Sequence, residues 1–499
     1  MAPIESKLEK LSDPDLRKFK GQNFDDIRSG CLSANKLWSD PEFGPNENSL
    51  WGELTPTISD IKWKRVHEIS KEARLFIKGH SEDDVRQGYV GDCWFVASVA
   101  SLALHDSLVK RVIPQYDKQE LDRKDYSGAL LFRFHRFGEW IEVVVDDYLP
   151  TRNNKLVFMY SNNPNEFWAA FLEKAYAKLA GSYEGLSGGR TADALNDLTG
   201  GTSEKIDFLE VGRSRSARQK LYKQLQRALS RGSLVTLGIN RVPGEGAESR
   251  RESGLFAGHA YSLLRCFDLS LDFIAKDFKR ELVKVRNPWG KAEWNGTWGD
   301  NYVIWKVIPQ QDKDALKFTN EDDGEFWMEF DDLLDNFTDL TICRMIKTDP
   351  EGGDNCWHQV QIKSAWVPGS TAGGCSNYLD TFFTNPQVQF QIEHEHDETV
   401  QIVLAQRDTR IDLDKDNMAI GYMIFKVADG NRKKVDSLMD ILEVPAGTNL
   451  INSRQLYNKF ELDVGTYVII PSTFEPDVAG EFLLKIFTEN EAHVRELKD

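Results

Sequence analysis

The chain has 499 residues and a formal net charge of −17, from 79 acidic and 62 basic side chains. This length exceeds what one ordinary hydrophobic core contains, so two to four domains are expected. The acidic balance argues against a general nucleic-acid-binding protein and suits a protein that binds divalent cations.

The sequence shows no targeting signal and no paired spacing of its cysteines. The stretch Met1–Lys7 lacks the apolar core of a signal peptide, and no apolar run is long enough to span a membrane. The six cysteines are scattered without paired C-x-x-C spacing. The sequence therefore predicts neither a disulfide framework nor a zinc site.

The first 45 residues are polar and charged, with a short predicted helix over Leu8–Phe19. We interpret residues 1–45 as an N-terminal leader that is loosely attached to the rest of the chain. From about Leu50 the composition becomes that of a globular domain.

The stretch from Gln87 to Phe95 carries the strongest signal for chemistry. Cys93 follows Gly91 and Asp92 and precedes a run of small apolar residues, which predicts a buried helix with Cys93 in its first turn. A helix N-terminus favours the nucleophilic thiolate. The amide of Gln87 and the backbone N–H of Cys93 could form an oxyanion hole. A cysteine considered alone in such a helix is more often structural.

The rest of this first lobe is predicted to mix strands and a helix. Ala129–Phe137 and Trp140–Val145 have the pattern of two strands joined by a turn, and a helical stretch follows from Glu166. The adjacent glycines Gly200 and Gly201 end the lobe and are a plausible hinge.

The second lobe begins with a basic stretch, Arg213–Arg231, which predicts an amphipathic helix with a solvated face. Ser233–Ile239 has the pattern of a strand, and Pro243–Ser249 that of a mobile loop that could gate a cleft. Strands are predicted on both sides of His259, and they end near Asn287.

His259 and Asn287 are the partners that a nucleophilic cysteine needs. The amide oxygen of Asn287 can accept a hydrogen bond from one imidazole nitrogen and fix the tautomer, which leaves the other nitrogen for Cys93. Trp289 could shield that hydrogen bond from water. A lone histidine or asparagine is more often structural, but the order Cys, His, Asn with a preceding Gln87 is much more specific.

From about Cys356 the pattern changes to short alternating strands with few helices, which predicts a β-sandwich. The predicted strands are Gln387–Ile392, Val400–Ala405, Tyr422–Val427, Phe460–Leu462 and Tyr467–Ile470.

Together these stretches resemble the calpain family over nearly the whole chain. The resemblance rests on Gln87–Phe95, Gly258-His259-Ala260, Asn287-Pro288-Trp289-Gly290, Asp323–Met328 and, more weakly, Gly369–Cys375. It implies an α+β fold, with a two-lobed papain-like cysteine protease core followed by an antiparallel β-sandwich domain. The predicted boundaries are 1–45 for the leader or anchor, 46–200 for lobe 1, 201–346 for lobe 2 and 356–495 for the calpain-type β-sandwich.

The resemblance implies a cytoplasmic, calcium-activated cysteine endopeptidase that performs limited proteolysis of protein substrates. Cys93 would be the nucleophile and His259 the base. Asn287 would orient the imidazole, Gln87 would stabilise the oxyanion, and Trp289 would shield the site.

Two acidic groupings match the family's calcium sites, since calcium prefers roughly six to eight oxygen ligands. In the first lobe, Asp84 and Glu166 would give carboxylates, with carbonyls from Ile77 and Gly79. In the second lobe the carboxylates would come from Glu293, Asp300, Asp323 and Glu325, with a carbonyl from about Glu321. Without the resemblance, these would be ordinary surface acids.

The sequence predicts no penta-EF-hand domain, and hence no small subunit bound through one. Asp412–Asp416 begins like an EF-hand loop, but Asn417 and Met423 stand where Gly and Glu belong. Either this member never had the domain, or the sequence is truncated. The acidic loop Glu393–Glu398 is interpreted as solvated, with calcium binding or domain–domain electrostatics as the second choice. A phospholipid or an inhibitor protein is a further expected contact, and nucleic acid is not.

Two other functional classes stay open. The first is a catalytically silent scaffold of the same fold that responds to calcium or phospholipid, and the intact catalytic set argues against it. The second is an acyl transferase that uses the same Cys–His chemistry, which amine incorporation without peptide cleavage would support.

Overall fold

The computed structural model describes residues 16–246, 248–271, 279–345, 357–393, 398–407 and 417–498. The chain divides into two compact units, Met1–Met345 and Ile346–Asp499. Among the described residues, no helix has the length and apolar character needed to cross a membrane.

The first lobe of the first unit contains one helix, α4, that is buried along nearly its whole length. Its helices are α1 (Phe24–Ala34), α2 (Glu47–Trp51), α3 (Val66–Ile69), α4 (Cys93–Ala103), α5 (Asp106–Val112), α6 (Trp168–Ala180) and α7 (Thr191–Thr199). Every residue of α4 after Cys93 is buried. The small apolar side chains in this run let other elements approach α4 from all sides, so the predicted buried helix is confirmed.

Two small sheets complete this lobe. Its strands are β1 (Leu16–Lys18), β2 (Lys62–Arg65), β3 (Ala129–Arg136), β4 (Glu139–Asp146), β5 (Tyr148–Arg152) and β6 (Lys155–Leu156). The sheets have the orders β1-β4-β3 and β2-β5-β6. The predicted hairpin is confirmed, because β3 and β4 pair antiparallel across the turn at Phe137 and Gly138.

The N-terminal segment is packed on this lobe, so the prediction of a loosely attached leader is wrong for its described part. β1 pairs in parallel with β4, and Phe24 of α1 is buried. Lys178 of α6 donates to Asp40 at 2.6 Å and to Gln22 at 2.6 Å. The predicted helix over Leu8–Phe19 lies mostly outside the described residues, and its described end is β1 and a 3₁₀ turn.

The second lobe is built on one antiparallel sheet of six strands, in the order β11-β10-β9-β8-β12-β7. The strands are β7 (Thr202–Asp207), β8 (Leu234–Ile239), β9 (His259–Ser270), β10 (Lys279–Arg286), β11 (Glu325–Glu329) and β12 (Asp339–Arg344), and the helices are α8 (Phe208–Val211), α9 (Arg215–Ser230), α10 (Gln310–Leu316) and α11 (Phe330–Asn336). The predicted amphipathic helix is α9, which buries Leu221, Tyr222 and Leu225 and leaves its basic face outside.

Two features of the lobe boundary and the sheet differ from the sequence predictions. β9 begins at His259 itself, and the residues before it form a loop that returns through Gly258 at φ 66°. The prediction of a strand on both sides of His259 is therefore wrong. Gly200 and Gly201 join α7 to β7, and a Cβ on Gly201 would come within 2.6 Å of the Arg344 carbonyl oxygen. Close packing therefore explains this glycine at the predicted hinge.

The second unit is a β-sandwich, as predicted. Its elements are β13 (His358–Trp366), α12 (Leu379–Phe382), β14 (Gln387–Ile392), β15 (Glu398–Gln406), β16 (Ala419–Val427), β17 (Ile441–Gly447), β18 (Ile451–Asn452), β19 (Gln455–Leu462), β20 (Gly465–Thr473), β21 (Gly480–Thr488) and β22 (Val494–Leu497). One antiparallel sheet has the order β13-β21-β15-β19 and the other β17-β16-β20-β14-β22, with β18 beside β16. Both sheets contribute to one core, for example through Ile402 and Phe390.

Three sequence features of this unit lie outside the described residues. They are Cys356, the centre of the acidic loop at 394–397, and the EF-hand-like stretch at Asp412–Asp416.

The pair between Lys178 and Asp40 yields a stability prediction. Both side chains are almost fully buried, so Asp40→Ala leaves an uncompensated buried charge. We expect the free energy of unfolding to fall by about 3 kcal/mol in denaturant titrations. Glu42→Ala is the control, because its pair with Lys20 spans 4.0 Å and is exposed. It should cost less than about 1 kcal/mol. Equal effects of the two variants would contradict the anchoring role of Asp40.

Candidate active site

Cys93 is the first residue of α4, and Trp94 fixes the start of this helix. The indole Nε1 of Trp94 donates to the Leu186 carbonyl oxygen at 2.9 Å. A Cβ on Gly189 would come within 2.2 Å of the Trp94 ring, so only glycine lets that loop close over the helix. The half-buried Cys93 thus lies at a helix N-terminus, whose partial positive charge favours a thiolate.

His259, at the start of β9, brings the second lobe to Cys93. Its side chain is fully buried, and Nδ1 lies 3.6 Å from Oε1 of Glu248. The sulfur of Cys93, a ring nitrogen of His259 and a carboxylate oxygen of Glu248 all lie within 4.8 Å of one another. Burial opposes the charge on the ring, but Cys93 and Glu248 outweigh it and raise the pKa of His259 to about 9.

Asn287 follows β10 directly and fixes the orientation of the imidazole. Its Oδ1 lies 2.9 Å from Nε2 of His259. Its Nδ2 donates to the Ala292 carbonyl oxygen at 3.1 Å, and the backbone N–H of Trp289 donates to its Oδ1 at 3.1 Å. These contacts orient the amide with its oxygen toward the histidine. Nε2 must then carry the ring proton, and Nδ1 faces Cys93 and Glu248.

Trp289 covers the same hydrogen bond, at the position that the sequence predicts. The centroids of the Trp289 and His259 rings are 4.6 Å apart, and Phe256 packs against Trp289 at 4.3 Å. The aromatic side chains keep water away from the His259–Asn287 bond.

The amide of Gln87 is held in place from both lobes. Its Oε1 accepts from the indole Nε1 of Trp289 at 2.8 Å, and its Nε2 donates to the Val90 carbonyl oxygen at 3.0 Å. The backbone N–H of Gln87 donates to the Pro288 carbonyl oxygen at 3.1 Å. One of the two side-chain N–H groups is thus engaged by Val90, and the amide nitrogen has a second one to offer.

Glu248 is a site residue that the sequence reasoning missed. It lies in the loop that was predicted to gate a cleft, and its side chain is 36% exposed. Its backbone N–H donates to the Ala257 carbonyl oxygen at 2.8 Å, which folds the loop back over His259. The signal was the position of the loop just before His259, but nothing local selected this carboxylate among the charged residues nearby.

A buried pair of carboxyl groups lies next to Cys93 in the first lobe, and it too was missed. Asp92 and Glu173 are both buried, and Glu173 accepts from the Met159 backbone N–H at 2.8 Å. Burial raises the pKa of Asp92 to about 7. Burial and the adjacent Asp92 raise the pKa of Glu173 well above its usual range. The one available signal was a glutamate within the otherwise apolar face of α6.

Of the predicted calcium ligands of the first lobe, Asp84 and the backbone of Ile77 lie beside Glu166. Its Oε1 accepts from the Ile77 backbone N–H at 2.6 Å, and its Oε2 from the Ser161 hydroxyl at 3.0 Å. Burial and the neighbouring Asp84 raise the pKa of Glu166 to about 7. Gly79 has a φ of 100°, which turns the backbone next to Ile77. A cation would relieve the repulsion between these two carboxylates.

In the second lobe, Glu293, Asp300 and Asp323 form one acidic group. Burial and repulsion among these carboxylates raise the pKa of Glu293 to about 7 and that of Asp300 to about 8. The pKa of Asp323 is also raised by burial. Glu321 lines the same cavity as Glu293 and Asp300, and its carbonyl oxygen accepts from the Asp323 N–H at 2.8 Å.

The carboxylate of Glu325, the fourth predicted ligand, is paired with basic side chains of β10. It forms an ion pair with Lys284, and it lies 3.8 Å from Nε of Arg286. The reason is register, because Glu325 is paired with Arg286 across β10 and β11. The structure therefore does not bring this predicted ligand together with the other three.

The ligand atoms of the acidic group in the second lobe are spaced more widely than those of Cys93, Glu248 and His259. Within the described ranges, Cys93, Glu248 and His259 are the only set of three Cys, His, Asp or Glu side chains whose ligand atoms all lie within 4.8 Å.

The sequence matches two family models that together cover most of the chain. Residues 38–344 match the model described as calpain family cysteine protease, and residues 362–487 match calpain large subunit, domain III. The chain is 40% identical to Calpain-5 of Mus musculus, over 97% of this chain and 77% of that protein. It is 37% identical to Calpain-A of Drosophila melanogaster, over 96% of this chain and 59% of the relative. Human Calpain-9 is also 37% identical, over 96% and 68% of the two chains.

The two-lobed core, with a cysteine at a helix N-terminus facing a histidine across the lobes, defines a papain-like cysteine protease fold. The following sandwich matches the calpain domain III model. The chain belongs to the calpain family of cysteine proteases.

The buried pair of Asp92 and Glu173 makes stability depend on pH. Their pKa values are raised in the folded chain, so between about pH 4 and 7 the folded state keeps protons that the unfolded state loses. The free energy of unfolding should therefore fall as the pH rises through this window. In Glu173→Gln the fall should be smaller by about 1 kcal/mol, as measured by denaturant titration at several pH values. The exposed Glu53→Gln is the control. An identical pH dependence in wild type and Glu173→Gln would contradict this account.

Proposed function

We propose that this chain is a calcium-activated cysteine endopeptidase that performs limited proteolysis of cytoplasmic proteins, with Cys93, His259 and Asn287 as its catalytic residues. The observation that carries the proposal is the position of the His259 ring between Asn287 and Cys93. Its Nε2 lies 2.9 Å from the Asn287 oxygen, and a ring nitrogen lies within 4.8 Å of the Cys93 sulfur.

The nucleophile is the thiolate of Cys93. Because Asn287 presents its amide oxygen, Nε2 of His259 keeps a proton and Nδ1 takes the proton from the thiol. The raised pKa of His259, about 9, favours the imidazolium over the neutral ring at neutral pH. The thiolate and the imidazolium then form an ion pair before the substrate arrives.

Attack on a peptide carbonyl moves negative charge onto the carbonyl oxygen. The backbone N–H of Cys93, at the start of α4, and the second side-chain N–H of Gln87 are the proposed donors to that oxygen. Gln87 is suited to this because Val90 and Trp289 hold its amide before the charge develops.

His259 then returns the proton. As the C–N bond breaks, the imidazolium donates from Nδ1 to the leaving amine, which departs as a neutral group. A water molecule next gives its proton to Nδ1 and attacks the thioester, which releases the acid and restores Cys93. Asn287 holds the ring in the same orientation in both halves of the reaction.

Calcium is the proposed activator, and two acidic groups have the donor chemistry to hold it. Asp84 and Glu166 would serve in the first lobe, and Glu293, Asp300 and Asp323 in the second. Their raised pKa values reflect crowded, partly buried carboxylates, which a divalent cation stabilises as anions. Calcium supplies this positive charge when bound, and it would favour the arrangement of the lobes that binds it better.

The test is cleavage of unfolded casein at a series of free calcium concentrations. Wild type should cleave casein in a calcium-dependent manner. Cys93→Ala should lose activity by about 10⁴-fold or more, because no other group replaces the thiolate. Asp300→Asn should raise the calcium concentration for half-maximal rate by about ten-fold or more, since even outer partners of a metal contribute that much.

Asp314→Asn, an exposed position on α10, is the matched control and should behave as wild type. Cleavage that persists in Cys93→Ala would rule out the assigned nucleophile. Full activity of wild type in excess chelator would keep the protease and remove the calcium switch. A folded wild type without activity at any calcium concentration would favour the silent scaffold.

A further inference from the structure

Glu248 contributes to the raised pKa of His259 but takes no part in the bond-making and proton-transfer steps of the proposed proteolysis. A carboxylate beside the catalytic pair adds a third metal-ligating group to a thiol and an imidazole. Thiolate and imidazole are preferred ligands of zinc, whereas calcium prefers oxygen. The chemistry of this group therefore differs from that of the two acidic groups.

The spacing of the three side chains suits a tetrahedral zinc ion. Bond lengths of about 2.0 Å to nitrogen or oxygen and 2.3 Å to sulfur put neighbouring ligand atoms roughly 3.3–3.6 Å apart. Nδ1 of His259 and Oε1 of Glu248 are 3.6 Å apart, and no pair in the group exceeds 4.8 Å. A movement of about 1 Å by the half-exposed Glu248 side chain or by Cys93 would complete the geometry.

The histidine is already oriented as a metal ligand. Its Nε2 is bound to Asn287, which is the outer contact that metal-ligating histidines commonly make. Its Nδ1 is buried, and the Cys93 sulfur and the Glu248 carboxylate lie beside the ring. A buried nitrogen that faces a thiol and a carboxylate is positioned as a metal ligand would be.

The backbone holds the third ligand in place. Glu248 has a φ of 53°, and its N–H donates to Ala257 at 2.8 Å while the Ala257 N–H donates to Ser249 at 3.0 Å. The ion pair of Arg251 with Glu245, at 2.9 Å, closes the same loop. The carboxylate is thus presented to His259 by an ordered turn.

We propose that Cys93, His259 and Glu248 form an inhibitory zinc site, with the fourth coordination position open to water. Zinc binds the sulfur of Cys93 and Nδ1 of His259, and the one mobile proton that these two groups share is released to solvent. Bound zinc and catalysis exclude each other, because the ion occupies both the nucleophile and the base. The inhibitory effect rests on the proposed proteolytic function, whereas binding of the ion does not.

The first experiment measures binding without substrate. Zinc affinity is determined by competition with a chromophoric chelator for wild type, Glu248→Gln, Cys93→Ala and the control Glu252→Gln, which removes an exposed charge from the same loop. We expect Glu248→Gln to bind zinc about ten-fold or more weakly, Cys93→Ala to bind it more weakly still, and Glu252→Gln to match wild type. Cobalt(II) should give a thiolate charge-transfer band in wild type that is absent in Cys93→Ala.

Two binding results would overturn the proposal. Zinc affinity that is equal in wild type and Cys93→Ala would mean that the ion binds elsewhere. If zinc affinity falls in Cys93→Ala but is unchanged in Glu248→Gln, Glu248 is not a ligand and the proposed three-residue site is wrong. Thermal unfolding of Glu248→Gln checks that the variant is folded. We expect it to fold because the Glu248 side chain is partly exposed.

The second experiment separates this proposal from the proteolytic function. Casein cleavage is titrated with zinc, and Glu248→Gln should need about ten-fold more zinc for half inhibition than Glu252→Gln. The inhibitory role would be overturned if wild type still cleaved casein at zinc concentrations that saturate its zinc site in the chelator competition. If wild type lacks protease activity but still shows the cobalt band, the proteolytic proposal is wrong and the metal site stands.

Discussion

Hydrogen bonds between the two lobes hold Cys93 against His259, and the site depends on them. The hydroxyl of Ser262, on the strand that begins with His259, donates to the Ala97 carbonyl oxygen of the cysteine helix at 2.8 Å. On the other side of the site, the backbone N–H of Gln87 donates to Pro288 at 3.1 Å. Cys93 and Asn287 each lie within a few residues of one of these contacts. The lobes are thus joined next to the proposed catalytic side chains, where a small displacement would have its largest effect on their distances.

A buried arginine relates the acidic groups to the same boundary. Arg286 is fully buried, and both its terminal nitrogens lie 3.3 Å from the Val85 carbonyl oxygen of the first lobe. Glu325 at 3.8 Å and Asp83 at 3.9 Å are its acidic neighbours. Burial lowers the pKa of Arg286, and these carboxylates act in the opposite direction. Asp83 precedes the proposed calcium ligand Asp84 in the chain, and Arg286 precedes Asn287. The backbone N–H of Glu325 donates to Oδ1 of Asp323 at 2.8 Å, although the Glu325 carboxylate itself is paired with basic residues. If calcium binds in either lobe as proposed, these packed charges are the neighbours through which it would act on Asn287.

The sequence predicted the features that local patterns encode. The apolar run after Cys93 predicted the buried helix, and alternating patterns predicted the hairpin of the first lobe and the strands of the sandwich. Asn287 was placed at a strand end because a proline follows it, and β10 ends one residue before it. Contacts between distant residues were not predictable in this way. The pair of Asp92 and Glu173 and the direction of Glu325 depend on tertiary packing and sheet register. The spacing rule that predicted no zinc site considers only neighbouring cysteines, whereas the proposed ligands are 155 and 11 residues apart along the chain.

The central claim is that Cys93 and His259 form a thiolate–imidazolium pair. The most direct test is the rate of Cys93 alkylation by iodoacetamide from acidic to alkaline pH, in wild type and His259→Ala, with the Cys93 peptide quantified by mass spectrometry. The account predicts rapid alkylation of wild type well below pH 8. In His259→Ala, the rise in rate should move to the pKa of an ordinary thiol, about 8.5. Profiles that coincide near that value would contradict the ion pair and the mechanism built on it.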